Sequence, residues 1–204
     1  MFELKEGEEL VAAARSAMEL ALISPARFDK RMVVDTLPKF KEPRGVFVTL
    51  HFYPTGALRG CIGFPTAVAP LREAVVDAAI AAAFEDPRFK PLSRAELDQV
   101  TVEVNVLSVP EEIRGGAEAR RKAVRIGRDG LMVQYGIYSG LLLPEVPVQE
   151  GWDSSEFLAG VCEKAGLHRN YWTQPNVRLY RFESQIFTEE TPNGKIAEVI
   201  LGKG

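Results

Sequence analysis

The sequence predicts an α+β fold with a mostly antiparallel sheet, built from two hairpin-helix-strand repeats with helices packed on it. Strand-like segments come in pairs separated by tight turns. A long helical segment follows each pair. The order hairpin, long helix, short polar or helical piece, long strand then occurs twice, offset by roughly eighty residues. The whole chain, residues 1–204, reads as one domain, with the pseudo-repeats at about 44–110 and 128–188.

Glu8 to Ile23 reads as a helix, because Leu10, Ala13, Ala14, Ala17, Leu20 and Ala21 recur at helical spacing and Pro25 lies beyond its end. Arg27 to Pro43 is a polar connector, where Pro38 and Pro43 argue against regular structure. Gly45 to Phe52, rich in β-branched and aromatic residues, is a strand. Tyr53-Pro54-Thr55-Gly56 is a turn, and Ala57 to Ile62 returns as the second strand of a hairpin. Thr66 is placed to cap a helix from about Ala69 to Phe84, which Glu85 to Phe89 ends. Ser93 to Leu97 is one short helix, and Val100 to Val109 alternates as a strand.

The second copy begins at Gly130 to Tyr135, turns near Gly136 and returns over Ser139 to Leu143. Pro144 to Asp153 reads as a loop. Ser154 or Ser155 caps a helix running through Ala165, with Gly166 as the C-terminal stop. Val177 to Phe187 is the last long strand.

Composition narrows the function. With 46% hydrophobic and 26% charged residues, the chain is an ordinary globular protein rather than a disordered one. A net charge of −3 supplies no global field to draw nucleic acid or acidic lipid. The stretch Met1 to Glu9 has neither the basic nor the apolar region of a secretory signal, and no apolar run reaches the ~20 residues of a membrane span. A cytoplasmic location is therefore expected, with both cysteines, Cys61 and Cys162, as reduced thiols. No Cys or His pair has metal-ligand spacing and no phosphate-binding glycine loop occurs, so neither a metal nor a cofactor is expected.

Leu58-Arg59-Gly60-Cys61-Ile62-Gly63 is the most distinctive stretch. Alternation places Arg59 and Cys61 on one face of their strand, with Leu58, Gly60 and Ile62 on the other. Thr49, His51, Glu103 and Asn105 fall on matching faces of their own strands. If these strands share a sheet, the face gathers a thiol, an imidazole, a carboxylate and a guanidinium. Cys61 would be the nucleophile, activated by the charge of Arg59, and Glu103 the acid or base. Arg59 would orient an anionic small substrate, and Gly60 and Gly63 would admit a ligand or a backbone. The plainer reading is that an exposed sheet face is polar because it meets water, and that a lone strand cysteine is an inert small hydrophobe.

These residues resemble the AMME-syndrome candidate-region protein family, whose prokaryotic members are called AmmeMemoRadiSam system protein A. LRGCIG at Leu58 to Gly63 is similar to its signature. So are FEDPRFKPL at Phe84 to Leu92, the strand at Val102 to Leu107, LLPEVPVQEGW at Leu142 to Trp152 and FLAGVCEKAGL at Phe157 to Leu167. One departure is Glu145, where the family commonly has glutamine. The resemblance implies a compact fold with two repeats and a single curved sheet. It implies no specific reaction, and it associates the chain with Memo-type and radical-SAM partners.

Asp86, Arg88, Glu150 and Trp152 match family motifs and join the candidate binding residues. Each also has a structural reading: Asp86-Pro87-Arg88-Phe89 as a helix-ending turn, and Glu150-Gly151-Trp152 as a loop anchored by the indole. Cys162 shares a helical face with Phe157, Leu158 and Val161 and is expected in a core. The basic run Arg120, Arg121, Lys122, Arg125 and Arg128 could touch RNA phosphates, but no stacking aromatics are interleaved and a solvated face is the better expectation. Three readings stay open: an enzyme with a reactive Cys61, a non-catalytic module that binds a ligand or a protein, and RNA binding.

Overall fold

The computed structural model describes residues 1–200. Two compact units make it up: Met1–Leu107 with Gln185–Val199, and a second whose body is Ser108–Ser184. The sheet is antiparallel and the fold is α+β.

The first unit opens with helix α1, Leu4–Ile23. It starts one turn earlier than the apolar spacing indicates, because Glu3 and Glu6 form a reciprocal capping box across its first turn. The connector to the first strand is not wholly irregular. It holds a 3-10 turn at Pro25–Arg27 and the short helix α2, Arg31–Val34, whose Val33 and Val34 enter the core. Strands β1, Val46–Phe52, and β2, Ala57–Phe64, form the expected hairpin.

Helix α3, Leu71–Phe84, begins after Pro70 rather than from a Thr66 cap. Its first donors are met by backbone, Leu71 N–H bonding to Glu42 C=O and Arg72 N–H to Phe40 C=O. Helix α4, Arg94–Leu97, has a Ser93–Glu96 capping box, and β3, Val100–Leu107, completes the run.

In β1 the alternation is strict: Val46, Val48 and Leu50 are buried, whereas Phe47, Thr49 and His51 are half-buried. Val100, Val102, Val104 and Val106 of β3 join that buried face, against which α1 and α3 pack. One ion pair crosses this interior. Arg15 of α1 forks onto the Glu189 carboxylate, and also donates to the carbonyls of Leu97 and Val100. Glu189 in turn accepts the N–H of Val102 at 3.0 Å.

The second unit holds β4, Glu111–Glu112, α5, Ala117–Ala123, and the hairpin β5, Asp129–Tyr135, with β6, Tyr138–Leu142. The expected loop after β6 contains helix α6, Glu145–Glu150. Its Pro147 sits in the first turn, where no intrahelical N–H is needed, and Gly151 closes it at φ 68°. Helix α7, Ser154–Lys164, is capped one residue before the expected serines. Asp153 accepts the N–H groups of Ser155 and Glu156, and Glu156 returns the bond. Leu131, Val133, Phe157, Leu158, Val161, Cys162 and Leu179 form this unit's core.

Strand β7, Arg178–Glu189, begins in the second unit, pairing β5 and β4, and ends in the first, pairing β8, Ile196–Val199. The strand order is β2-β1-β3-β7-β5-β6, so β2 is a terminal strand. No described helix is long and apolar enough to cross a membrane.

Candidate functional site

The register of β2, β1 and β3 builds three cross-strand rows on the face turned away from α3. Cys61 lies opposite Thr49, which lies opposite Glu103. Gly63, Phe47 and Asn105 form the row on one side, and Leu58, His51 and Thr101 the row on the other. Five of the six polar residues expected to share a face therefore do so.

Arg59 is the exception. The β1–β2 register slips between Leu50 and His51, so Leu58 and Gly60 take consecutive partners and Arg59 is left over as a bulge. One extra residue breaks the alternation that placed Arg59 beside Cys61. Its side chain is instead 4% exposed and turned to the segment after α3. Nε donates to Glu96 Oε1 at 2.9 Å, Nη2 donates to the Lys90 carbonyl at 2.9 Å, and the guanidinium lies over the Phe89 ring at 5.6 Å. The Arg59 bonds, helped by those from Ser93, hold the Glu96 carboxyl at a pKa of about 2. Glu96 thus caps α4 and fixes Arg59 with one carboxylate.

Asp86 and Arg88 serve the same edge differently. The Cys61 N–H donates to Asp86 Oδ2 at 2.9 Å, and the Cys61 carbonyl accepts from Arg88 Nη2 at 3.3 Å. Arg88 closes the fork by donating to both Asp86 oxygens, at 3.0 and 2.7 Å. The pair stands where a neighbouring strand would offer one acceptor and one donor. Asp86 is 4% exposed, and its hydrogen bonds from the Arg88 side chain, with the backbone bonds, hold it well below the usual carboxylate range. The turn reading and the site reading of this motif describe one arrangement, since Phe89 N–H also bonds to Asp86 C=O.

The glycines of the hexapeptide have separate reasons. A Cβ on Gly60 would lie 2.2 Å from the Ala82 carbonyl oxygen, so only glycine lets α3 approach β2 this closely. A Cβ on Gly63 would meet Val46 O at 2.3 Å and Phe47 Cδ1 at 2.4 Å. Neither glycine is held open for a ligand; both spaces are filled by the protein itself.

What remains on the face is a short polar series. Cys61 is half-buried, and its sulfur accepts the Thr49 hydroxyl at 3.3 Å. His51 Nδ1 lies 3.2 Å from Gly56 O. Glu103 is half-buried, and Asn105 is 4% exposed with no hydrogen-bond partner at Oδ1. Two strand spacings, about 10 Å, separate Cys61 from Glu103. That is too far for direct proton exchange, so any molecule using both must span the Thr49 row.

Glu150 and Trp152 belong to the second unit. Glu150 is exposed at the end of α6, and the Trp152 ring is half-buried against Gly160. Glu145 is partly buried, burial raises its carboxyl pKa, and its Oε2 lacks a hydrogen-bond partner. Cys162 is fully buried, and burial pushes its thiol up to about 11.

Most of the basic run is committed locally. Arg120 is buried and donates to the carbonyls of Trp172, Gln174 and Val177. Arg121 and Lys122 pair with Glu118, and Arg128 pairs with Asp129. Among the described residues no group of three His, Cys, Asp or Glu side chains could hold a metal ion.

Sequence reasoning missed Glu96 and Arg120. The Ser93-x-x-Glu96 spacing was a signal for the first, as a capping box. Arg120 bonds only to distant carbonyls, which leave no mark on its own segment.

The AMMECR1 family model matches residues 11–187. The chain belongs to the AMMECR1 family. Among AMMECR1 relatives, a protein of Thermococcus gammatolerans is 50% identical over 206 residues, covering 96% of this chain and 97% of that one. Protein MJ0810 of Methanocaldococcus jannaschii is 46% identical over 200 residues, covering 97% of each. The crystal structure of Protein PH0010 from Pyrococcus horikoshii is similar at a TM-score of 0.84 and 49% identity, over 97% of this chain and 98% of that one.

Proposed function

We propose that this AMMECR1 chain is a binding protein that takes a small ligand on the outer face of β2, β1 and β3, with Cys61 as a contact group. One observation carries the reading. Arg59, Asp86 and Arg88 hold the edge of β2, while Cys61, Thr49 and Glu103 stand in one cross-strand row on the other face, where the thiol is half-buried. A nucleophilic cysteine needs an adjacent base or cation. Arg59 is bonded to Glu96 and Lys90, Arg88 beside the Cys61 carbonyl is already paired with the Asp86 carboxylate, and Glu103 lies two strands away. The arrangement supports recognition better than covalent catalysis.

A fragment screen read by amide chemical shifts tests this. Hits are expected to move Thr49, Cys61 and Glu103 together, and Cys61→Ser is expected to keep binding. Hits confined to Glu150 and Trp152 would overturn the reading. Iodoacetamide labelling of Cys61 much faster than that of glutathione at pH 7 would favour the enzyme reading instead. Memo-type and radical-SAM proteins are the macromolecular partners to test, by asking whether their addition suppresses the same shifts.

A further inference from the structure

We propose that Asn193 is a modification site, where spontaneous deamidation to isoaspartate proceeds only when the turn between β7 and β8 opens. Thr191 to Gly194 form that turn, closed by Gly194 N–H donating to Thr191 O at 2.8 Å. Three of its residues are there for three separate reasons. Pro192 presets the backbone at the second position. Asn193 takes the third at φ 57°, where asparagine is among the few side chains tolerated. A Cβ on Gly194 would lie 2.1 Å from Thr191 Oγ1 and 2.9 Å from Thr191 O, so the fourth position needs glycine. The fold thus sets a glycine directly after an exposed asparagine.

That dipeptide carries its own chemistry. The side-chain amide of Asn193 is an electrophile, and the nearest nucleophile is the Gly194 backbone nitrogen. Gly194 has no side chain to hinder the approach. When its nitrogen gives up its proton, it attacks Asn193 Cγ. The N–Cγ bond forms, the Cγ–Nδ2 bond breaks, and ammonia leaves with the proton. Water then opens the cyclic imide at either carbonyl, giving aspartate or isoaspartate. Water enters and ammonia leaves, so no oxidant, reductant or cofactor is needed.

The folded turn opposes the first step. The bond to Thr191 O keeps the proton on the Gly194 nitrogen and holds that nitrogen in place. Glu190 N–H, donating to Lys195 O at 2.9 Å, fastens the turn to the strands behind it. Conversion therefore waits on local opening. Isoaspartate adds a carbon to the backbone, so the product cannot close the same turn. The change falls beside a strand end that matters to the interior. Glu189, the last residue of β7, holds Arg15 and the Val102 N–H.

Ageing the full chain in mildly alkaline buffer, with and without urea, tests the proposal. Trypsin releases Asn193 in the peptide Phe182–Lys195, and fragment masses locate the exchange of amide for acid. In urea, Asn193 is expected to convert, and isoaspartate is expected to accept a methyl group from an isoaspartyl methyltransferase. The native chain is expected to convert at least about tenfold more slowly. Pro192→Ala loosens the turn and leaves the reacting atoms alone. It is expected to speed native conversion by about twofold to fivefold and to leave the rate in urea unchanged. Asn193→Gly accepts the same φ, so it is expected to melt like the parent and to keep that melting temperature on ageing.

Equal rates with and without urea overturn the gating, as does a Pro192→Ala chain that ages natively like the parent. An Asn193 that stays intact in urea removes the site itself. Isoaspartyl chains that melt like the parent would show that the product regains the turn, against the proposal.

Discussion

The two hairpin-helix pairs of the molecule solve one packing problem with different chemistry. In the first, Gly60 on β2 lets α3 approach, because a Cβ there would lie 2.2 Å from Ala82 O. In the second, Gly140 on β6 lies against the end of α7, where a Cβ would meet Ala165 N at 2.7 Å. Both return strands thus carry a glycine where a helix crosses. The segments that follow the helices are then tied down differently. After α3, two carboxylate–guanidinium pairs, Arg59–Glu96 and Asp86–Arg88, do the work. After α7, Arg120 alone holds three backbone carbonyls, and burial pulls its pKa below the usual arginine value without neutralising it. The cysteines of the two units hold different places, Cys61 half-buried on a return strand and Cys162 sealed on a helix. What differs between the two copies is the chemistry that fastens the segment after the helix: paired charges in one, carbonyls on a single guanidinium in the other.

The largest effect should come from adding one carbon. Gly60→Ala is expected to cost about 3 kcal/mol or more, and Gly140→Ala about 1–2 kcal/mol, by denaturant unfolding. Equal costs would break the contrast in how closely the two helices approach. Next, Arg59→Ala should cost about 2–3 kcal/mol, because it leaves Glu96 without its cation. Arg59→Lys should recover only part of that loss, since an ammonium cannot fork.

The two fastenings should also differ in acid. The Glu96 pKa of about 2 lies below the 4.5 of an unperturbed glutamate, so its stabilisation is complete above pH 4.5 and is lost as the pH falls toward 2. Asp86 acts in the same direction. Glu96→Gln and Arg59→Ala should each flatten the fall in melting temperature across that window. Arg120→Met should not, because its partners are carbonyls. An Arg120→Met chain with a flattened profile would break the comparison. The smallest perturbation is labelling: iodoacetamide should modify Cys61 in the native chain, and Cys162, at 0% exposure, only when the second unit opens.

Much of this architecture was legible. The period-2 patterns of β1 and β3 were enough to place Thr49, His51, Glu103 and Asn105 on one face, and the register joined them to Cys61. The bulge at Arg59 was not legible, because a one-residue slip leaves no mark in an alternating pattern and is set by what the side chain finds in space. Its partner Glu96 lies 37 residues away. Helix α6 was hidden by Pro144 and Pro147, which read as loop-formers although both sit where a helix begins. The α7 cap falls one residue before the expected serines because Asp153, Ser154 and Ser155 are all good caps. Glu156 at the third helical position selects Asp153.

The fork of Asp86 and Arg88 on the Cys61 peptide has a consequence for what the molecule avoids. An unpaired outer strand is a template on which another chain can add, strand upon strand, toward aggregates. Strand β2 is terminal in the sheet, and both polar groups of its Cys61 peptide are already occupied by side chains. An incoming strand would have to displace a buried carboxylate and its guanidinium before gaining its first bonds there. The motif that resembled part of a site also works as a stopper, ending the sheet where it could otherwise continue into a neighbour.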